Sequence, residues 1–196
     1  MDALFNDLLS GEEALAEAAM NKLVALGEET FPKLKELLES TEADHRWWAL
    51  SVLAQIENAD VDWMLPALKD NSVEVRQCAA LGLSVHADPK AVSALVDALH
   101  DPDSMVSTLA TNSLAKIGEE AVPALLAVCE EKEIGENIVQ IKAARLGAMR
   151  ALATIADKRA IPAMMAALEE DSVFMNHWAE TGLEKLGLDM VYMKLK

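Results

Sequence analysis

One pattern of apolar positions recurs six times along the chain, and each copy begins with an alanine. A leucine follows four residues later, and most copies carry another apolar residue three positions after the leucine. This spacing places the three side chains on one face of an α-helix. The alanines are Ala19, Ala49, Ala79, Ala110, Ala148 and Ala179, so successive copies lie 30, 30, 31, 38 and 31 residues apart. A near-constant period in this range predicts an array of stacked helix pairs.

We name these the B helices, and a second set, the A helices, alternates with them. The B helices are predicted near residues 12–26, 44–57, 73–86, 104–117, 138–156 and 173–186. Prolines at positions 32, 123 and 162 mark first turns of A helices, and glycines at 27, 118 and 187 mark ends of B helices. With a short opening helix near residues 3–9, the pattern predicts an all-α fold of about six helix pairs, forming one domain over residues 1–196.

Four positions depart from the regular pattern. Pro66 lies past the first turn of its A helix, so this helix should start late or kink. His86 stands where other copies carry an apolar residue, and we expect it to be partly buried and hydrogen-bonded rather than a ligand. The interval of 38 residues between Ala110 and Ala148 is longer than the others, and its extra residues are 133–139. They form either two further helical turns or a projecting loop. Residues 188–196 either cover the end of the array or form a disordered tail.

The most complete copy runs from Val92 to Gly118. It reads Val92-x2-Leu95-x3-Leu99-x-Asp101-Pro102-Asp103-x2-Val106-x3-Ala110-x3-Leu114-x2-Ile117-Gly118. This stretch resembles the HEAT-repeat superfamily, and most closely its short HEAT-like repeats of the phycobilin-lyase (PBS lyase) type. The resemblance implies a right-handed α–α superhelix, a HEAT-like solenoid. It also implies a ladder of Arg to Asp contacts, which Arg46 and Arg76 fit and which Ser107 and Asn176 leave incomplete.

The charge of the chain narrows the classes of partner. Thirty-three acidic residues against seventeen basic ones give a net charge of −16, which repels the phosphates of nucleic acid and anionic membrane surfaces. We therefore expect neither nucleic acid nor a membrane as partner. Cys78 and Cys129 lie in apolar helical settings and are expected to be reduced and buried. No leader precedes Asp2 and no apolar stretch approaches the ~20 residues of a membrane span, so we expect a cytoplasmic protein.

The sequence shows no arrangement typical of a catalytic or metal site. Di-iron hydroxylases of the superfamily carry His-Glu dipeptides, whereas the four histidines here are followed by Arg46, Ala87, Asp101 and Trp178. A Gly-rich phosphate loop and a Gly-x-Ser-x-Gly motif are also missing. We therefore predict no catalytic residue, no metal and no cofactor, and we interpret the many carboxylates in turns as a solvated acidic rim.

Two positions on each B helix, two residues before and two after the alanine, point away from the core face. From the second B helix onward they hold Trp47 and Ser51, Gln77 and Leu81, Thr108 and Asn112, Leu146 and Arg150, then His177 and Thr181. This row contains no acid, although the chain carries a net charge of −16. We therefore predict a partner-binding concave face of Trp47, Gln77, Leu81, Thr108, Asn112, Leu146, Arg150, His177 and Thr181. The alternative is that Trp47, Leu81 and Leu146 only contact neighbouring repeats.

Three functions follow from these observations. The first is a non-enzymatic scaffold that binds a protein or peptide segment on the concave face, or a basic segment on the acidic rim. The second is a lyase-like enzyme, or enzyme subunit, that handles a tetrapyrrole or similar planar ligand between Trp47 and Trp178. The third is a structural module that associates through residues 190–193. The sequence fixes neither the identity of the partner nor the oligomeric state.

Overall fold

The computed structural model describes residues 1–188, which are helical without a strand in that range. The chain forms two compact units, one over residues 1–91 and one that begins at Val92. The proposal of a single domain over residues 1–196 stays a prediction. The predicted cap or tail lies outside the described residues from position 189 onward.

The first unit contains five α-helices. They are α1 (Asp2–Leu8), α2 (Glu13–Leu26), α3 (Phe31–Leu38), α4 (Ala43–Leu53) and α5 (Val73–Val85). Short 3-10 helices cover Gly27–Thr30, Val61–Trp63, Leu65–Lys69 and Pro89–Ala91. The B helices α2, α4 and α5 pack on one another in chain order, and α3 packs against α4.

The second unit repeats this arrangement. Its helices are α6 (Val92–Ala98), α7 (Ser104–Ile117), α8 (Val122–Cys129), α9 (Ile138–Ile155), α10 (Ile161–Ala167) and α11 (Val173–Lys185), with 3-10 helices at Gly118–Ala121 and Lys158–Ala160. The B helices α7, α9 and α11 pack in chain order, and α6, α8 and α10 each pack on the B helix that follows. All six predicted B helices are therefore present.

The signature residues form the core of both units. The six alanines are at most 1% exposed, and the leucines four residues after them are completely buried. The second trio residues of the A helices, which are Leu34, Met64, Leu95, Leu125 and Met164, are also completely buried. Because burial of one leucine side chain is worth roughly 1.5–3 kcal/mol, this repeated seam accounts for much of the stability of each unit.

The second A helix shows the largest departure from a regular α-helix. Residues Val61–Trp63 and Leu65–Lys69 form two 3-10 helices instead of one α-helix that starts late or kinks. Pro66 explains the interruption, because it lacks a backbone N–H and its ring clashes with the preceding turn. The apolar trio that contains Met64 is nevertheless buried, so packing of its side chains is kept. The preceding B helix was predicted to residue 57 but ends at Leu53, which corrects that boundary.

The long interval is mostly loop. Residues 131–137 are not helical, and α9 begins ten residues before Ala148, whereas the other B helices begin six residues before their alanines. The insertion therefore consists of a projecting loop followed by one additional helical turn at the start of α9.

Helix α9 also ends differently from its counterparts. Gly27, Gly118 and Gly187 have positive φ values of 59°, 83° and 78°, as predicted for residues that follow B helices. At the corresponding position, Ala156 adopts a left-handed conformation with φ 56° and ψ 45°. A side chain in this region is strained, because its Cβ approaches the following carbonyl oxygen.

We expect Ala156→Gly to raise the free energy of unfolding by about 0.5–1 kcal/mol, because relief of the left-handed strain exceeds the added entropy of the unfolded chain. Urea denaturation measures the change. Ala143→Gly is the matched control, since Ala143 is exposed inside the same helix and the substitution should lower the free energy of unfolding by about 1 kcal/mol. Destabilisation by Ala156→Gly would show that the strain is not significant.

Two glycines accommodate Met64 and Met164, the two methionines that take the place of a leucine in the A helices. A Cβ on Gly182 would lie 2.5 Å from Met164 Cε and 3.0 Å from Ala153 Cα. A Cβ on Gly82, at the same repeat position, would lie 3.1 Å from Met64 Sδ. Where an A helix carries a long methionine in place of leucine, the B helix that follows carries a glycine.

Gly182→Ala should therefore lower the free energy of unfolding by about 1–3 kcal/mol through overpacking. Adding Met164→Leu should restore part of the loss, with a coupling energy on the order of 1 kcal/mol in a double-mutant cycle measured by urea denaturation. Gly82→Ala should have the smaller effect, because only side-chain atoms come close to its Cβ. Strict additivity of the two substitutions would refute the complementarity of glycine and methionine.

Candidate functional site

The first unit carries three of the predicted binding residues, Trp47 on α4 and Gln77 and Leu81 on α5. Trp47 is half-buried and packs edge-to-face on Trp48, with 4.8 Å between ring centroids. Its carbonyl oxygen lies 3.7 Å from the sulfur of Cys78, which is also 3.3 Å from Ser51 Oγ. Leu81, in contrast, is 52% exposed. The Trp47 ring therefore packs on its own helix and the Trp47 carbonyl group contacts the next repeat, whereas Leu81 faces solvent.

The second unit carries the other six on α7, α9 and α11. Arg150 links two of these helices, because its Nη2 donates to Asn112 Oδ1 at 3.2 Å and to the Thr108 carbonyl oxygen at 3.3 Å. Burial lowers the pKa of Arg150 below its ordinary value. Thr181 Oγ1 donates to the His177 carbonyl oxygen at 2.8 Å, within α11. The structure thus connects Arg150 with Asn112 and Thr108.

The row residues of the second unit differ in their exposure to solvent. Asn112 and His177 are exposed, while Thr108, Leu146, Arg150 and Thr181 are half-buried. The corresponding positions of α2, which the sequence interpretation passed over, hold Glu17 and Asn21, both exposed. The acid-free row therefore applies to α4, α5, α7, α9 and α11, and α2 adds a carboxylate.

The Arg–Asp ladder is present at the predicted Arg46. Its Nε and Nη2 donate to the two carboxylate oxygens of Asp70 at 2.6 and 2.8 Å, and its Nη1 donates to the Ser40 carbonyl oxygen at 2.8 Å. The hydrogen bonds from Arg46 hold the pKa of Asp70 below its ordinary value. Arg76 continues the arrangement by donating from Nη1 to the Asp70 carbonyl oxygen at 2.9 Å.

A further contact of this kind, made by Arg145, was not predicted from the sequence. Like Arg46 and Arg76, it lies three residues before the alanine of its B helix, so the signal was present in the sequence. It donates to the carboxylates of Glu133 and Glu170 and, at 3.0 Å, to the Cys129 carbonyl oxygen. Burial opposes the charge of Arg145, but the hydrogen bonds to Glu170 and Glu133 raise its pKa above the ordinary value.

Beside Leu146, the second unit contains a cavity of about 540 Å³. It is bounded by the loop at residues 131–137, the beginning of α9 and the α10–α11 connection, and Arg145 spans its walls. The row therefore leads, at Leu146, into a depression that the helical pattern did not predict.

Other reactive side chains are held in structural settings. Burial raises the pKa of Cys78 and raises the pKa of Cys129 to about 12, and both thiols are free. His86 Nε2 lies 3.1 Å from the Ala54 carbonyl oxygen, in agreement with the predicted hydrogen-bonded, partly buried histidine. Among the side chains that the structure describes, no three His, Cys, Asp or Glu groups are placed to share a metal ion. Within residues 1–188, no helix combines the length and apolar character that crossing a bilayer requires.

Comparison with known families supports the repeat assignment. The HEAT repeats family matches residues 61–138, and the PBS lyase HEAT-like repeat family matches residues 144–170. No match is found among curated protein sequences.

Solved structures similar to the chain are helical repeat proteins. One chain of the complex of CpcE and CpcF of phycocyanin lyase from Nostoc sp. PCC7120 is 26% identical to this chain, with a TM-score of 0.56 over 83% of this chain and 66% of that one. A designed armadillo repeat protein is 20% identical, with a TM-score of 0.54 over 94% and 98% of the two chains. Human deoxyhypusine hydroxylase is 19% identical, with a TM-score of 0.53 over 92% and 71%. The fold is accordingly that of an all-α repeat solenoid.

The ion pair of Arg46 with Asp70 makes stability depend on pH. Because the folded-state pKa of Asp70 is lowered, the pair stabilises the folded state above about pH 4, and its contribution is lost as the pH falls through the folded-state value. We expect Asp70→Asn to lower the free energy of unfolding at pH 7 by about 1–3 kcal/mol. The difference from wild type should shrink as the pH falls below about 4, through the lowered pKa of Asp70.

Urea denaturation across this pH range provides the measurement. Glu57→Gln is the control, because it removes a carboxylate from an exposed position of the same unit and should change stability little. If Asp70→Asn lowers the free energy of unfolding by the same amount at every pH, the contact does not act through the charge of Asp70.

Proposed function

Because the chain is a HEAT-repeat protein that includes a repeat of the PBS lyase HEAT-like type, we propose that it is a non-enzymatic scaffold that binds a segment of a partner protein. In the second unit, the binding surface is the row of Thr108, Asn112, Leu146, Arg150, His177 and Thr181. The observation that carries the proposal is that all six positions are at least partly accessible and none is acidic, in a chain of net charge −16.

Asn112 and Arg150 supply the polar groups of this surface. Asn112 Oδ1 accepts a hydrogen bond from Arg150 Nη2, and its amide nitrogen has no partner among the described residues. Arg150 likewise keeps Nε and Nη1 without a partner within residues 1–188. These donors suit the backbone carbonyl oxygens of an extended segment, which expose unpaired acceptors.

Rigid helices support this role. The row lies on α7, α9 and α11, whose alanines and following leucines are completely buried. Side chains held on such a framework lose little conformational freedom when a partner binds, so a larger part of the contact energy appears as affinity. The three residues Trp47, Gln77 and Leu81 offer an equivalent surface in the first unit.

A lyase-like function is the second candidate. Its support is the 26% identity to the chain of the CpcE and CpcF complex of phycocyanin lyase, since the other neighbours described above show the fold alone. In this alternative a tetrapyrrole would contact a tryptophan of one unit, either Trp47 in the first or Trp178 in the second. Titration with a linear tetrapyrrole that leaves tryptophan fluorescence and ligand absorbance unchanged would remove it.

Site-specific photo-crosslinking tests the scaffold function. A photoreactive amino acid at Asn112 or Thr181 should yield the same crosslinked partner, identified by mass spectrometry, whereas one at Ala127 should not. Ala127 is the matched control because it is exposed on the A helix α8 of the same unit. Equal crosslinking from all three positions would argue against the row.

Affinity for the identified partner gives the second readout. We expect Arg150→Gln to raise Kd about tenfold, equivalent to about 1.4 kcal/mol, because it removes donors from the surface. Lys158→Gln removes a positive charge from an exposed position of the same unit and should leave Kd unchanged. Circular dichroism of each variant confirms folding, and equal Kd values for the two variants would contradict the assignment.

A further inference from the structure

The cavity beside Leu146 has fixed walls. Arg145, whose side chain is only 13% exposed, uses Nε, Nη1 and Nη2 to hold the Cys129 carbonyl oxygen and the carboxylates of Glu133 and Glu170. It thereby ties the loop at residues 131–137 to the α10–α11 connection. A cavity with such walls is formed before any ligand arrives, and the guanidinium of Arg145 is fully engaged.

The segments around the cavity are strongly acidic. Residues 130–136 contain four glutamates and one lysine, and residues 169–171 are three consecutive acids. The two cations of the lining are Arg145 and Lys142, whose Nζ lies 3.5 Å from Glu133 Oε2. Asp171 also lines the cavity, is exposed, and makes no ion pair within the described part of the chain. One carboxylate is therefore free to pair with an incoming cation.

Exposed apolar side chains lie within or next to these two segments. Phe174 lines the cavity and is 69% exposed, and its neighbour Val173 is 82% exposed. On the loop side, Ile134 and Val139 are 70% and 71% exposed. An exposed aromatic ring next to unpaired negative charge suits a side chain that combines an apolar stem with a cationic head.

We propose that this cavity binds an arginine or lysine of the partner segment, next to an apolar residue that contacts the exposed apolar side chains. The proposal rests on the scaffold function and extends it by naming the chemistry of the segment. The aliphatic stem lies against Phe174 and Leu146, and the cationic head pairs with Asp171. Charge complementarity favours this occupant, because a second copy of the chain brings a net charge of −16 and an acidic segment would be repelled.

A peptide selection tests the proposal even while the partner is unidentified. A random twelve-residue library displayed on phage is selected on the full wild-type chain, and selected peptides are synthesised with a fluorescent label. Fluorescence anisotropy then gives Kd for wild type and variants. We expect the selected peptides to share an arginine or lysine adjacent to an apolar residue, with affinity that falls as salt is raised.

Two variants and two matched controls assign the site. Phe174→Ser should raise Kd at least tenfold and Asp171→Asn at least fivefold. Met165→Ser removes an exposed apolar side chain from α10, and Glu184→Gln removes an exposed carboxylate from α11, so neither should change Kd more than twofold.

The outcomes separate this inference from the scaffold function. Peptides that lack basic residues, or that bind Phe174→Ser as well as wild type, overturn the cavity assignment. If such peptides still lose affinity in Asn112→Ala and Arg150→Gln, the scaffold surface stands while the cavity does not. Recovery of no binding peptide from the library overturns the cavity assignment as well.

Discussion

A buried alanine on every B helix is the constraint on which the packing of both units depends. Because its side chain is a single methyl group, the groups packed on it lie close to the helix backbone, and the leucine four residues later is completely buried at this spacing. The surrounding side chains are adjusted to this spacing, as the pairing of Gly182 with Met164 shows. Because interiors are packed at crystal-like density, a longer side chain on one helix requires a smaller one on the next.

Polar contacts at the turns form a second set of connections between repeats. Arg46 bridges a turn of its own repeat and Asp70 of the next, and Arg145 bridges Glu133 and Glu170 in the same manner. Each guanidinium binds a carboxylate and a backbone carbonyl oxygen together. The carbonyl bound by Arg145 is that of Cys129, the last residue of α8, so this contact satisfies an acceptor that a helix leaves open at its end. In the second unit, the same contact also shapes the cavity next to Leu146.

Acidic side chains and neutral or basic side chains occupy different parts of the protein surface. Carboxylates concentrate in turns, whereas the outward positions of five B helices hold neutral or basic side chains. The fold itself does not select a function, since a similar helical repeat occurs in a lyase complex and in a hydroxylase. The proposals for this protein therefore stand on particular side chains, above all Asn112, Arg150, Asp171 and Phe174.

Much of the fold was predictable because helical periodicity is a local property. The hydrogen bonds of an α-helix join residues four apart, so apolar residues at the same spacing define a buried face whatever the neighbouring helices are. The outward positions, such as Asn112 and Arg150, follow from the same geometry. Two features were harder to predict from the sequence: the end of α4 at Leu53 and the replacement of one A helix by 3-10 helices near Pro66. Packing decides how far a helix continues past a local defect, and the sequence pattern does not contain this information.

The sequence by itself therefore determined the number and order of the B helices, their buried faces and the absence of acids from the row. Tertiary structure alone decided which side chains meet across repeats. Arg145 contacts Glu133 and Glu170, which lie 12 and 25 residues away along the chain. Such contacts depend on the path of the loop at residues 131–137 and on the packing of α9 against α11, neither of which a periodic pattern encodes. For this reason the row was predictable, whereas the cavity beside it was not.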